Sequence, residues 1–257
     1  MEITQVRNAT IIVKYNGIKF LIDPWLGPKE YMEGFVSGLN SQIRQPRVDL
    51  PMAIDKITDV DAVIVTHLHP DHWDEYAAKA LDKNIKMFVQ SECDKEFMQN
   101  EGFNNVEVLS ENGTEYKQIK LYKASGEHGV REIIEPICKQ VGMDYDAMGI
   151  VFKADNEKTL YLAGDTIWCK EVEENLSKFS PDIIIANACG ATVINGERLI
   201  MNKEDLNKLL LHSPQATVIA SHMDTVSHLT VTRKDLKDLT DKYKNLLIPN
   251  DGETIQL

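Results

Sequence analysis

The sequence predicts an α/β protein built as a four-layer sandwich, with two central mixed β-sheets and helices on the outside. Three observations lead there. Strand-like runs rich in β-branched residues alternate with helical ones over most of the 257 residues. Each half of the chain begins β-rich and then turns to alternation. Two apolar strands, KFLID and TLYLAGD, end alike on an aspartate, Asp23 and Asp165, as counterparts whose strand ends would meet along one edge.

The elements follow in order. ITQVRNATIIVKY and IKFLID form an opening hairpin, because Asn16-Gly17 between them tolerates the positive φ of a tight turn. From Pro24 to Ile57 the pattern is irregular, with Lys29, Arg44 and Arg47 among Pro and Gly, and predicts a long excursion with a short helix that walls a pocket. Strand DAVIVT leads into helix WDEYAAKAL, and KMFVQ into helix SECDKEFMQNEG, where Ser91 caps the start and Gly102 the end. VEVLS, QIKLYKAS, GIVFKA and TLYLAG open the second half as strands. Helix CKEVEENLSKF, strand DIIIANA, helix KEDLNKLLLH, strand TVIAS and helix RKDLKDLTDKY complete it.

Composition frames the function. A chain with 43% apolar and 26% charged residues can bury a substantial core, so residues 1–257 are expected to form a single domain. Its net charge of −12 argues against nucleic acid or an anionic membrane as partner. Cys93, Cys138, Cys169 and Cys189 are widely spaced, with no C-x-x-C pair, which fits a reducing cytoplasm and no disulfide scaffold. The first residues lack the basic start and apolar core of a signal peptide, and no apolar run reaches membrane-spanning length. A soluble cytoplasmic protein is the expectation, with a small-molecule substrate and room for homo-oligomerisation.

The chemistry is concentrated in THLHPDH, which follows the buried-strand run DAVIV. Residues i and i+2 of an extended chain point the same way, so His67 and His69 project together, and Pro70 keeps the residue before it extended. Asp71 and His72 come round the same strand end as the chain turns toward a helix. Imidazole and carboxylate suit zinc, and also manganese or iron. No cysteine lies in the cluster, so the signature of a closed structural site is missing.

THLHPDH resembles the signature of the metallo-β-lactamase superfamily, and the remaining pieces follow in the expected order across nearly the whole chain. Within that superfamily the chain is similar to the branch that includes L-ascorbate-6-phosphate lactonases and N-acyl-phosphatidylethanolamine phospholipases. The resemblance implies the same sandwich, with two divalent transition-metal ions on the edge between the sheets, zinc first among them. It implies one metal held by His67, His69 and His128, the other by Asp71, His72 and His222, and Asp165 between the two. Asp23 would support the histidines from behind. Asp71 would orient a bridging hydroxide, and His228, which coordination does not demand, would act as a catalytic acid or substrate contact.

The substrate expected is a small, anionic metabolite, a lactone or phosphoester. Trp25, Arg47, Trp168 and Asn187 are the residues expected to wall its pocket. Two other classes stay open: a di-metal protein with a redox or sensing role and no hydrolysis, and a nuclease, against which the acidic balance counts.

Overall fold

A computed structural model describes the whole chain, residues 1–257. In the first sheet β1 (Glu2–Arg7), β2 (Thr10–Tyr15) and β3 (Ile18–Ile22) run antiparallel. The run expected as one strand, ITQVRNATIIVKY, is two, because Asn8 takes a left-handed φ of 55° and reverses the chain. Asn16 and Gly17 make the second turn, with φ of 47° and 78°. After an excursion that ends in α1 (Ile54–Thr58), β4 (Ala62–Ile64), β5 (Lys86–Val89) and β6 (Val106–Val108) add in parallel. Their crossovers carry α2 (Glu75–Ala80) and α3 (Glu92–Asn100), and Ser91 caps α3 by accepting from Asp94 N at 3.1 Å.

The second sheet repeats the plan. Here β7 (Thr114–Tyr116), β8 (Ile119–Ala124), β9 (Gly149–Lys153) and β10 (Leu160–Leu162) are antiparallel. They are followed in parallel by β11 (Ile183–Asn187), β12 (Thr217–Ser221) and β13 (Leu246–Leu247). Helices α4 (Arg131–Gln140), α5 (Lys170–Phe179), α6 (Lys203–His212) and α7 (Lys237–Lys242) lie in the connections, α7 after a 3₁₀ turn at Arg233–Leu236 that breaks the single helix expected there. The chain ends in β14 (Thr254–Gln256), which pairs with β1 and completes the first sheet, a strand its short polar sequence did not announce.

Both sheets therefore have seven strands, four antiparallel and then three parallel. β3 and β10, which carry KFLID and TLYLAGD, hold the same fourth place in their sheets. The inner faces meet in one apolar layer that includes Phe20, Ile64, Phe88, Phe152, Ile185 and Ile219. Outside the first sheet, Ala77 of α2 and Met98 of α3 pack against Val63 and Met87. Outside the second, Leu176, Leu206 and Leu209 pack against Ile184 and Val218. The parallel strands β4 and β11 are buried at every residue, since helices cover one face and the facing sheet the other, which is why they read as unbroken apolar runs. The four-layer sandwich expected from sequence is the one observed.

Candidate metal centre

Six of the seven histidines converge where strands from both sheets end. His67, His69, Asp71 and His72 follow β4. A tight turn in which His72 N and Trp73 N donate to His69 O, at 2.9 and 3.1 Å, folds the last two back beside the first two. His128 comes from the loop after β8, Asp165 from the end of β10, and His222 from the end of β12. Two positions need left-handed backbone to deliver these groups. At Gly164, φ is 72° and a Cβ would stand 2.4 Å from Met148 O, so only glycine fits. At His222, φ is 65°, held by its N–H on Asn8 O at 3.0 Å.

The ligand atoms form two triads, His67 with His69 and His128, and Asp71 with His72 and His222, each with atoms within 4.8 Å of one another. Asp165 stands between them. Its Oδ2 is 4.0 Å from His67 Nε2, 3.2 Å from His72 Nε2 and 3.9 Å from His222 Nε2. Its other oxygen is taken by Asn187, whose Nδ2 donates to Oδ1 at 2.7 Å.

Each imidazole shows one nitrogen to the centre and anchors the other. His69 Nε2 meets Asp144 O at 2.7 Å, and His128 Nδ1 meets Leu199 O at 3.1 Å. Asp23 serves two rings at once: Oδ2 takes His72 Nδ1 at 2.9 Å and the Thr66 hydroxyl at 2.8 Å, and that hydroxyl lies 3.0 Å from His67 Nδ1. Thr66 N also donates to Asp23 Oδ1 at 2.7 Å. His222 Nδ1 faces Cys189 Sγ at 3.4 Å. A partner of this kind fixes the tautomer and orientation of a metal-binding imidazole.

The electrostatics call for cations. Burial lowers His67 far below the usual range for an imidazole and takes His128 down to about 4, so these rings are neutral with lone pairs available. Burial would lower His72 too, but Asp165, Asp23 and Asp71 outweigh it and push the ring up to about 10, and Cys189 and Asp165 raise His222 likewise. Three buried carboxylates thus recruit protons onto two imidazoles where no other positive charge is at hand. His67 Nε2 is buried with no partner at all. Orphaned nitrogen on one side and carboxylate charge on the other are the pattern that divalent metals satisfy, and this N/O donor set fits them.

Above the triads lies a small cavity, about 40 Å³. Its floor is His69, Asp71, His128 and Asp165. Its walls are Phe35, Ser37 and Gly38 from the excursion, Ile134, Ile137, Cys138, Val141 and Met143 from α4 and its following turn, and Val193, Leu199 and His228. It contains no lysine or arginine. His228 is buried, with Phe35 edge-on at 5.0 Å and no partner for Nδ1, and burial takes it down to about 4.

Of the residues expected to wall the pocket, Asn187 reaches the centre, but as the support of Asp165. Trp25, Trp168 and Arg47 do not line the cavity. Trp25 is fully buried in the core, its backbone N–H held by Thr10 and its indole by Tyr31, under the Arg7 guanidinium. Trp168 turns outward onto the His212 ring and Glu173. Arg47 is exposed, and Arg44 and Lys29 pair with Glu33 and Glu30 of their own loop. Residues for which no part in the metal centre was expected are Asn8, Thr66 and Cys189, the last lying in the stretch Asn187 to Ala191 that was expected as pocket wall. Asn8 Nδ2 lies 3.2 Å from His222 Nε2 and donates to Asp71 O at 3.1 Å. In the sequence Asn8 lies inside a run read as one strand, so nothing singled it out.

Comparison with known proteins agrees with this fold. The model of the beta-lactamase superfamily domain matches residues 19–223. UPF0173 protein YddR of Bacillus subtilis is 43% identical over 99% of both chains. Among solved structures, an isothiocyanate hydrolase from Delia radicum gut bacteria superposes with a TM-score of 0.94 at 38% identity, covering 100% of this chain and 99% of the other. A possible metal-dependent hydrolase from Veillonella parvula does so at 0.95 and 39%, with the same coverage. The chain belongs to the beta-lactamase superfamily and, within it, to the UPF0173 family of metal-dependent hydrolases.

Proposed function

We propose that this enzyme is a binuclear hydrolase whose substrate is a small neutral electrophile carrying an apolar arm, an isothiocyanate in the first instance. The observation that carries the reading is the cavity itself: residues of both triads, His69 and His128 from one and Asp71 from the other, form its floor with Asp165, and its walls are apolar with no lysine or arginine. An anionic lactone or phosphoester would find only the metals to balance its charge. An alkyl or aryl group is matched by Ile134, Val141, Met143 and Val193. The resemblance to the isothiocyanate hydrolase, at near-complete coverage of both chains, supports the choice.

His67, His69 and His128 would hold one metal, Asp71, His72 and His222 the other, and Asp165 both; zinc, manganese and iron all suit the donors. Bound there, the ions would supply a water acidic enough to attack at neutral pH and would polarise the electrophile. Asp71 and Asp165 keep carboxylate oxygens in the centre, 3.2 Å from His222 Nε2 and His72 Nε2 respectively, and Asp71 would orient the attacking water. Phe35 and the α4 side chains exclude bulk water. His228, neutral at pH 7, offers a ring N–H to the substrate heteroatom as charge develops on it. As an imidazolium it would be too scarce to act as a proton donor. For R–N=C=S, water oxygen joins the central carbon, both of its protons pass to nitrogen and the carbon–nitrogen bond breaks, giving R–NH2 and carbonyl sulfide. The four cysteines are unpaired, which supports a reducing cytoplasmic setting.

The test is a hydrolysis panel of benzyl and phenethyl isothiocyanate, a lactone, a phosphodiester and a thioester on metal-loaded protein. Metal-dependent loss of the isothiocyanates is expected. Turnover of the phosphodiester or lactone alone would overturn the substrate reading.

A further inference from the structure

The structure assigns a positioning role to Cys189: its sulfur accepts the Nδ1 proton of His222 and so holds that ring for the second metal. The inference rests on the binuclear reading above and concerns one residue's part in it.

The other imidazoles of the two triads are anchored through oxygen. Thr66 Oγ1, Asp144 O, Asp23 Oδ2 and Leu199 O stand 2.7–3.1 Å from His67, His69, His72 and His128 in turn. His222 differs. Its Nε2 looks into the centre, 3.2 Å from Asp71 Oδ2 and 3.3 Å from His72 Nε2, and its Nδ1 faces Cys189 Sγ at 3.4 Å. If Nε2 is to give its lone pair to a metal, Nδ1 must carry the proton, and the sulfur is then the acceptor.

Cys189 packs in the apolar layer outside the second sheet, with its sulfur turned to the His222 ring. It is fully buried just past the end of β11, and its carbonyl takes two backbone N–H groups, Thr230 at 3.0 Å and Val231 at 2.9 Å. The next N–H, of Gly190, is held on Met201 O at 2.9 Å. Its thiol lies outside the cavity lining, so contact with substrate does not explain it. His222 in turn stands on a left-handed backbone at φ 65°, a strained conformation that persists only where its surroundings hold it, and the Cys189 contact at Nδ1 is one of those that do. A serine hydroxyl on the same backbone would stand farther from the ring, because a C–O bond is shorter than a C–S bond, and would hold it more loosely. Sulfur's longer reach fits the gap.

Metal-free protein titrated with Co²⁺ against a competing chelator tests the role, with uptake followed by absorbance and by the paramagnetically shifted, exchangeable imidazole N–H resonances. Wild type is expected to take two ions. Cys189→Ala is expected to bind the second ion 10–100-fold more weakly, with the first unchanged and the His222 N–H resonance lost to solvent exchange. Cys189→Ser should keep that resonance, shifted because its acceptor has changed, and recover part of the affinity. Equal affinity for both ions in Cys189→Ala overturns the role of Cys189 while leaving the binuclear reading intact. If Cys189→Ala does not fold, an unmoved His222 resonance in Cys189→Ser overturns it too. Uptake of fewer than two ions by wild type would overturn both.

Discussion

His228 shows how much one side chain's surroundings change its chemistry. In the sequence it is a histidine six positions after a ligand, fit to give a proton or to bind an anion. In the fold it is buried against Phe35 with one nitrogen unpartnered, and burial takes it down to about 4, so at neutral pH it acts through a neutral N–H. His228→Ala is therefore expected to keep both metals and its melting temperature while turnover falls about 10²-fold, the scale of losing one donor to a developing negative charge. Loss of metal in proportion to activity, measured on the same preparation, would show it to be a ligand instead. At this scale legibility followed distance along the chain. His67, His69, Asp71 and His72 lie within six residues, so strand geometry and the turn after Pro70 were enough to bring them together. Thr66, Asn8 and Cys189 contribute through hydrogen bonds to residues the sequence places far away or leaves unremarked. Trp25 and Arg47 failed as pocket residues for a related reason: an irregular loop has no period from which inward and outward faces can be told.

At the scale of elements, strands and most helices were readable because burial imposes a period. α4 was not. It carries Pro136 within its span, lacks a side-chain cap at its start and lies between glycine-bearing turns, so nothing in Glu127–Met148 advertised a helix. Yet α4 supplies one wall of the cavity. It packs through a satellite cluster, Ile134 and Cys138 with Tyr145 and Val193, separate from the layers that hold α5 and α6. A helix with so few buried apolar neighbours opens more readily than its surroundings. The cavity is too small for an aryl isothiocyanate unless this wall moves. Hydrogen exchange should find the α4 amides less protected than those of α6, with protection rising when an apolar substrate analogue is bound. Equal protection in the free protein would contradict a movable wall.

The whole molecule is two sheets of one plan whose strand ends meet at a charged, buried centre, and the duplicate positions of Asp23 and Asp165 were visible in the sequence as two matching strand ends. What could not be read was the net balance of charge inside. In the metal-free protein, His72 and His222 are raised above the ordinary imidazole range, so the folded chain binds more protons there than the unfolded one and loses that stability as pH rises from 6.5 toward 10. His67, His69, His128 and His228 are lowered, so the unfolded chain binds more protons between about 4 and 6.5, and stability rises with pH across that window. Melting temperature of the metal-free protein should thus peak near pH 6.5. Metal held by His72 and His222, as proposed, would replace their protons and should remove the alkaline decline. A metal-free protein whose stability climbs steadily to pH 9 would refute this picture of the centre.

The central claim is that two triads joined by Asp165 hold two ions, and metal stoichiometry tests it most directly. Protein purified without chelator, compared with Asp165→Ala and His222→Ala at matched folding, should carry close to two ions in the wild type. Asp165→Ala should weaken both sites together, and His222→Ala should empty mainly one, because a shared carboxylate couples the ions and a terminal imidazole does not. Folded wild-type protein that carries no metal, or equal losses in the two variants, would contradict the account.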